Sequence, residues 1–284
     1  MKHSEEYRDS RLSRKIIDRI KAVAGKDIRL MEVCGTHTVS IFRNGIRSVL
    51  PDSISLISGP GCPVCVTDQQ DIDAFISLAQ TDNTIIATFG DLIRVPGTHS
   101  SLQREQADGR DIRIVYSTTD AIELAKQHPD KNVIFLGVGF ETTTPTIAAS
   151  LITAKQLNLT NYYVYAAHKV VPPALFALMK IPGVNIDGFL LPGHVSVIIG
   201  TDAYSPFFET YHLPCAVAGF ESADILLAIL RLSEQIASGK PLLDNCYPRA
   251  VTAEGNPKAR QLTEMVFELC DAPWRGIGVI TASG

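Results

Sequence analysis

The sequence holds no apolar run approaching the ~18 residues that a membrane-spanning helix needs. It has no basic excess either. Its 26 Lys and Arg stand against 30 Asp and Glu, a formal net charge of -4 with a pI of about 6.0. That balance argues against a nucleic-acid surface. The first 25 residues carry charge throughout, so they lack the apolar core of a secretory signal. No low-complexity tract and no short-period repeat occurs. These absences lead us to expect a cytoplasmic protein without nucleic-acid or membrane partners. The six cysteines then point to metal or redox work rather than a disulfide framework. Only one C-x-x-C is present, with no second one and no His pair at ligand spacing, which argues against a closed zinc site.

What is present is a rhythm. With 45% hydrophobic residues the chain can build a packed core. Short apolar runs near 28–33, 54–58, 84–89, 113–116, 132–139, 162–167, 187–191, 215–219 and 276–281 read as strands. Helical spacing separates most of them, over 11–25, 37–50, 67–80, 118–129, 145–157, 221–238 and 257–270, with Pro172 and Pro173 opening another helix. This alternation predicts an α/β fold of two similar Rossmann-like parallel-sheet domains facing each other across a cleft. The first is expected over 1–118 and the second over 119–254, with 255–284 packing back on the first. The unusual segments, CGTHT, GPGCPVC, GDLIRVPGT, GFETTTP, AHK, LPGHVS and GFES, each follow a strand, where ligand crevices of open α/β sheets lie.

Two of these segments carry thiols. Cys34 and His37 sit three apart where a strand meets a helix. Cys62 and Cys65 form the C-x-x-C, flanked by Gly59, Pro60 and Gly61. If the strands before them pair in parallel, about 4.8 Å apart, three thiols and an imidazole share one small volume. A helix start lowers a thiol pKa, so Cys34 is expected to be partly ionised near neutral pH. It reads as a nucleophile or soft-metal ligand, or else as a buried strand-end cysteine with His37 capping the helix. Cys62 and Cys65 read best as a reversible dithiol/disulfide. GFETTTP can hold an anion at a helix start or be a tight turn. It lacks the Walker lysine, and Thr142 stands where a third glycine would be. His168 and His194 each follow a strand and are either structural or functional. Cys215 reads as core, and Cys246 and Cys270 show no partner.

Taken together, CGTHT at 34–38, GPGCPVC at 59–65, GFETTTP at 139–145 and LPGHVS at 191–196 closely resemble the HypD family of hydrogenase maturation factors. The resemblance runs over the whole chain. It implies a scaffold for assembling the Fe(CN)2CO unit of [NiFe] hydrogenases, working with a small HypC-like chaperone and a HypE-like cyanide donor. It implies that Cys34 binds the iron jointly with a partner cysteine. It also implies that Cys62 and Cys65 are the redox dithiol. His37 is expected to hydrogen-bond the Cys34 thiolate or a cyanide nitrogen. Gly35, Thr36, Glu141, Thr142, Thr143 and His194 are expected to line the cleft. Family members continue past a segment like GIGVITASG into a domain whose four cysteines bind a [4Fe-4S] cluster, and those ligands are not in this sequence. Two rival readings are a stand-alone thiol-disulfide oxidoreductase using Cys62 and Cys65, and a nucleotide-binding enzyme using GFETTTP.

Overall fold

The computed structural model describes residues 10–284. Part of the charged N-terminal stretch, residues 1–9, lies outside the described residues. In chain order the elements begin with α1 (Ser10–Val23), β1 (Ile28–Glu32), α2 (Gly35–Arg43), α3 (Ile46–Val49), β2 (Ile54–Ser58), α4 (Pro63–Val66) and α5 (Gln69–Ala79). Then come β3 (Thr84–Thr88), α6 (Leu102–Ala107), β4 (Ile112–Ile114), α7 (Thr118–Gln127), β5 (Asn132–Gly137), α8 (Thr144–Gln156), β6 (Tyr162–Ala166) and α9 (Val171–Met179). The rest are β7 (Gly188–Pro192), α10 (Gly193–Ile199), α11 (Ser205–Tyr211), β8 (Cys215–Ala218), α12 (Ser222–Ser238), β9 (Leu243–Asn245), α13 (Pro257–Glu264), β10 (Ala272–Trp274) and β11 (Gly278–Ile280).

The fold is α/β, with two parallel sheets in two compact units. One unit comprises the chain up to Cys62 together with Ala174–Pro257, and the other Pro63–Pro173 with Lys258–Gly284. This division differs from the contiguous halves expected at 1–118 and 119–254. Strand rhythm shows where strands lie but not which ones pair, and β1 takes as neighbours β2 and the distant β7. Residues 258–284 accordingly fold with 63–173.

The first unit's sheet has the order β2-β1-β7-β8-β9, parallel throughout. β1 and β2 run in step from Ile28↔Ile54 to Glu32↔Ser58. One sheet face packs Ile28, Leu30, Leu190, Ala216 and Ala218 against Ile16 and Ile20 of α1 and Ile225, Ile229 and Leu232 of α12. Each of the Ile and Leu side chains contributes roughly 1.5–3 kcal/mol when fully buried. Chain order reverses at β1: one connection runs outward to β2, while β7 and β8 lie on its other side. The carboxyl ends of β1 and β7 therefore flank the position where such sheets open a crevice.

The second unit's sheet has the order β4-β3-β5-β6, again parallel. Alternate residues serve opposite faces, as strand geometry requires. Ile86 and Leu136 enter one core with Phe75, while Ile85, Ala87, Val133 and Phe135 enter the other with Ile122 and Ile147. Here the reversal falls between β3 and β5, so GFETTTP stands beside it. The final strand expected at 276–281 is present as β11, which forms one arm of the antiparallel hairpin β10–β11. Gly276, with φ 79°, lies in its turn. No described helix is long and apolar enough to cross a membrane.

Candidate functional site

In the first unit, the in-step pairing of β1 and β2 brings their two loops together. Gly35 N–H donates to Gly61 O at 2.8 Å, and Gly59 N–H to Glu32 O at 2.8 Å. A Cβ on Gly61 would lie 2.1 Å from Cys34 N, so only glycine permits this approach. A Cβ on Gly35 would sit 3.5 Å from Cys62 Cβ, ordinary van der Waals contact. The CGTHT and GPGC loops thus interlock, with Cys34 and Cys62 on either side of the contact.

Cys34 is the N-cap residue of α2 in extended conformation (φ -151°, ψ 121°) and is buried. Burial pushes its thiol up from the ordinary value, and this outweighs the opposing pull of the His37 and Thr36 N–H groups and the Thr36 hydroxyl. The expected partial ionisation near neutral pH is therefore corrected. The helix start does face the sulfur, but desolvation wins and the free thiol keeps its proton.

His37 is fully buried. Its Nε2 lies 3.2 Å from Ala218 O and 3.0 Å from Gly219 O. Both partners are acceptors, so Nε2 carries the hydrogen and Nδ1 is a lone-pair acceptor without a partner. Burial holds the imidazole neutral, with its pKa down at about 4. The N–H expected to serve the Cys34 sulfur or a cyanide is thus committed to two carbonyls, and no side-chain cap closes α2. One face of His37 stacks on Phe220 at 4.7 Å, and His194 stacks on Phe220 at 3.7 Å. His194, in the first turn of α10, which follows β7 directly, is the exposed member. A groove of about 490 Å³ beside α2 is lined by Thr36, Val39, Ser40, Arg43, Phe220 and Ser222.

Sequence reasoning did not single out Glu32 or Phe220. Glu32 ends the buried strand β1 and accepts Ser58 Oγ at 2.7 Å, while its Oε2 has no partner. Burial raises its pKa, against Ser58 and the more distant Arg47. The signal was there to see: a carboxylate at the buried end of β1, on the same face as Ile28 and Leu30, two residues before Cys34. Phe220 was visible only as part of a repeated Gly-Phe-Glu.

In the second unit, Cys65 lies in the one-turn helix α4; Cys65 and Cys62, the residue that closes the first unit's opening stretch, are both disulfide-bonded. Glu141, Thr142 and Thr143 form the turn into α8, with Pro145 in its first turn. Glu141 Oε1 accepts Val171 N–H at 2.9 Å, and Oε2 is enclosed without a partner. Burial lifts this carboxyl to about 7. His168, from the segment after β6, is buried with Nε2 unpartnered and is held down at about 4, by burial first and the Lys169 charge second. Lys169 is buried and pairs with Asp71 at 3.6 Å. Cys215 is in the core as expected. Cys246 is buried and Cys270 exposed. Among the described residues no group of three or more His, Cys, Asp or Glu is placed to hold a metal ion.

Two parallel α/β units with thiols presented at strand carboxyl ends define a class of thiol proteins built on Rossmann-like sheets. Residues 11–284 match the family model HypD, described as the hydrogenase formation hypA family. The chain is 43% identical over 292 residues to the hydrogenase maturation factor HypD of Azotobacter vinelandii, covering 100% of this chain and 77% of that protein. It is similarly 43% identical over 292 residues to the hydrogenase expression/formation protein HupD of Azotobacter chroococcum, with the same coverage. With the HypD of Escherichia coli K12 the identity is 41% over 292 residues, covering 100% and 78%. The chain belongs to the HypD family of hydrogenase maturation factors.

Proposed function

We propose that this chain is a scaffold on which the Fe(CN)2CO unit of [NiFe] hydrogenase is assembled. The observation that carries this is the interlock of the CGTHT and GPGC loops, which places Cys34 against the start of the C-x-x-C. In this reading the iron is cargo. Cys34 supplies one soft thiolate, suited to low-spin iron carrying cyanide and CO, and loses its proton when the metal binds. A cysteine of a small HypC-like partner supplies another, and a HypE-like protein delivers cyanide. The Cys62–Cys65 pair, once reduced, provides electrons. His37 Nδ1 offers an acceptor in a dry setting, and Phe220 holds its ring. The surface of α2, with Phe42 84% exposed beside the groove, gives the partner a place to bind.

The test is to purify wild type and Cys34→Ser with the HypC-like partner and compare iron per complex and the cyanide and CO infrared bands. Ser has nearly the same shape but is a hard ligand. The variant is expected to keep its thermal transition, lose the iron and bands, and retain part of its partner affinity. Wild-type iron and bands in the variant would overturn the assignment of Cys34.

The disulfide itself favours a second reading, a stand-alone thiol-disulfide oxidoreductase. Under that reading Cys34→Ser leaves both dithiol turnover with a small disulfide and iron content unchanged.

A further inference from the structure

We infer that Arg275 is a positioning residue for the Cys62–Cys65 pair, acting through a clamp that the β10–β11 hairpin closes on α4. This rests on the redox reading above and says what holds the pair in place. α4 is a single turn and has little hydrogen bonding of its own. Thr67, just after it, is fully buried and returns N–H and Oγ1 to Pro63 O at 3.1 and 2.8 Å. Val64 packs on the core of Ile72, Phe75 and Ile76, and further support comes from more than 200 residues away in the chain. Thr67 forms an antiparallel bridge with Trp274. Arg275 N–H donates to Val66 O, next to Cys65, at 2.9 Å. Arg275 Nη2 donates to Gln69 Oε1 at 3.2 Å. The backbone bond takes the carbonyl at the end of α4, and the guanidinium takes the first residue of α5. Arg275 therefore spans the joint between the C-x-x-C turn and the helix that follows, its backbone on the α4 side and its guanidinium on the α5 side.

The hairpin is itself firmly seated. Trp274 is 1% exposed, donates from Nε1 to Ser283 Oγ at 2.9 Å and stacks on Phe140 at 5.9 Å. Gln69 in turn reaches Asp73 at 3.4 Å, whose other oxygen accepts the Thr98 hydroxyl. Arg275 thus ties α4 and α5 to a hairpin anchored by the buried Trp274.

Reduction adds two electrons and two protons across the Sγ–Sγ bond and yields two thiols, while a reducing dithiol becomes a disulfide. Its equilibrium depends on how closely the backbone keeps the two thiols in bridging position, because a preorganised pair re-forms the bond more readily. The clamp therefore favours the disulfide, and loosening it makes the potential less negative.

The experiment measures the Cys62/Cys65 potential of the full chain in dithiothreitol redox buffers, alongside the melting temperature. The proteins are wild type, Arg275→Ala, Gln69→Ala and the double variant. Gln69→Ala breaks the same bond from the other side and stands in if Arg275→Ala does not fold. Each single variant is expected to lower the equilibrium constant for disulfide formation about threefold, ~14 mV for a two-electron couple. The double variant is expected to add nothing further, because one bond is shared. Variants that melt lower at an unmoved potential would show a merely structural contact and overturn the clamp alone. So would additive shifts. A wild-type pair that cannot be reduced and reoxidised would overturn the redox reading and the clamp together.

Discussion

A methyl group on Gly61 would sit 2.1 Å from Cys34 N and 2.4 Å from its Cα, so Gly61→Ala must push the two thiol loops apart. We expect it to destabilise the first unit by roughly 1–3 kcal/mol, the usual range for overpacking, and to lower iron retention. Gly35→Ala, whose added carbon meets only ordinary contacts at 3.5 Å, is expected to be nearly neutral. Urea melts of the two variants check this, and equal losses would refute the close-approach account. Glu141 gives a pH signature. Its folded pKa of about 7 lies above the ordinary 4.5, so the stability it contributes is full below pH 4.5 and lost as pH rises through 7. Glu141→Gln resembles the protonated acid and keeps an acceptor for Val171 N–H. It should gain on wild type by roughly 1–3 kcal/mol between pH 4.5 and 8. His37 and His168, both held near 4, act in the opposite sense: their contribution is present above 6.5 and lost as pH falls through 4. Both proteins share that loss, so the difference between their melts at each pH isolates Glu141.

At the scale of elements, most strands and the helices flanking the site were legible, because buried parallel strands are short apolar runs bounded by Gly and Pro. Two such runs ending in like loops bring the thiols together only if β1 and β2 pair, and it is the structure that supplies this pairing. Other elements were not legible, each for its own reason. The helix expected over 37–50 breaks into α2 and α3 because Gly45 takes φ 61°, a left-handed turn that an Asn-Gly step allows. β9 is Leu-Asp-Asn, which carries no apolar pattern and forms only as an edge on β8. α10 and α11 are one or two turns long, too short for helical periodicity to register. The state of Cys34 was misjudged because sequence shows the helix start but not the burial that outweighs it. The commitment of the His37 N–H to carbonyls at 218 and 219 depends on a contact 181 residues distant.

Across the whole molecule the chain passes between the two units at three places, after Cys62, after Pro173 and after Pro257. Neither unit is a contiguous stretch that can be cut out. A fragment of residues 1–118 contains β1 and β2 but lacks β7, β8 and β9, and it holds β3 and β4 without β5 and β6. We expect it to show no cooperative thermal transition by circular dichroism, whereas residues 1–284 melt cooperatively. A sharp melt of the fragment would contradict the interleaved sheets. The same threading sets an order of events during synthesis. β3 to β6 leave the ribosome in one run, so the second unit's sheet can close while the first still waits for β7. From Ser58 to Pro192 the ribosome needs on the order of ten seconds. Throughout that interval the carbonyls of Ala218 and Gly219 that will bury His37 do not yet exist, and Cys34 stands beside an unfinished sheet edge. The nascent thiol is therefore open to oxidants and stray metals before it is ever shielded, and a chaperone that met the chain early would find it exposed.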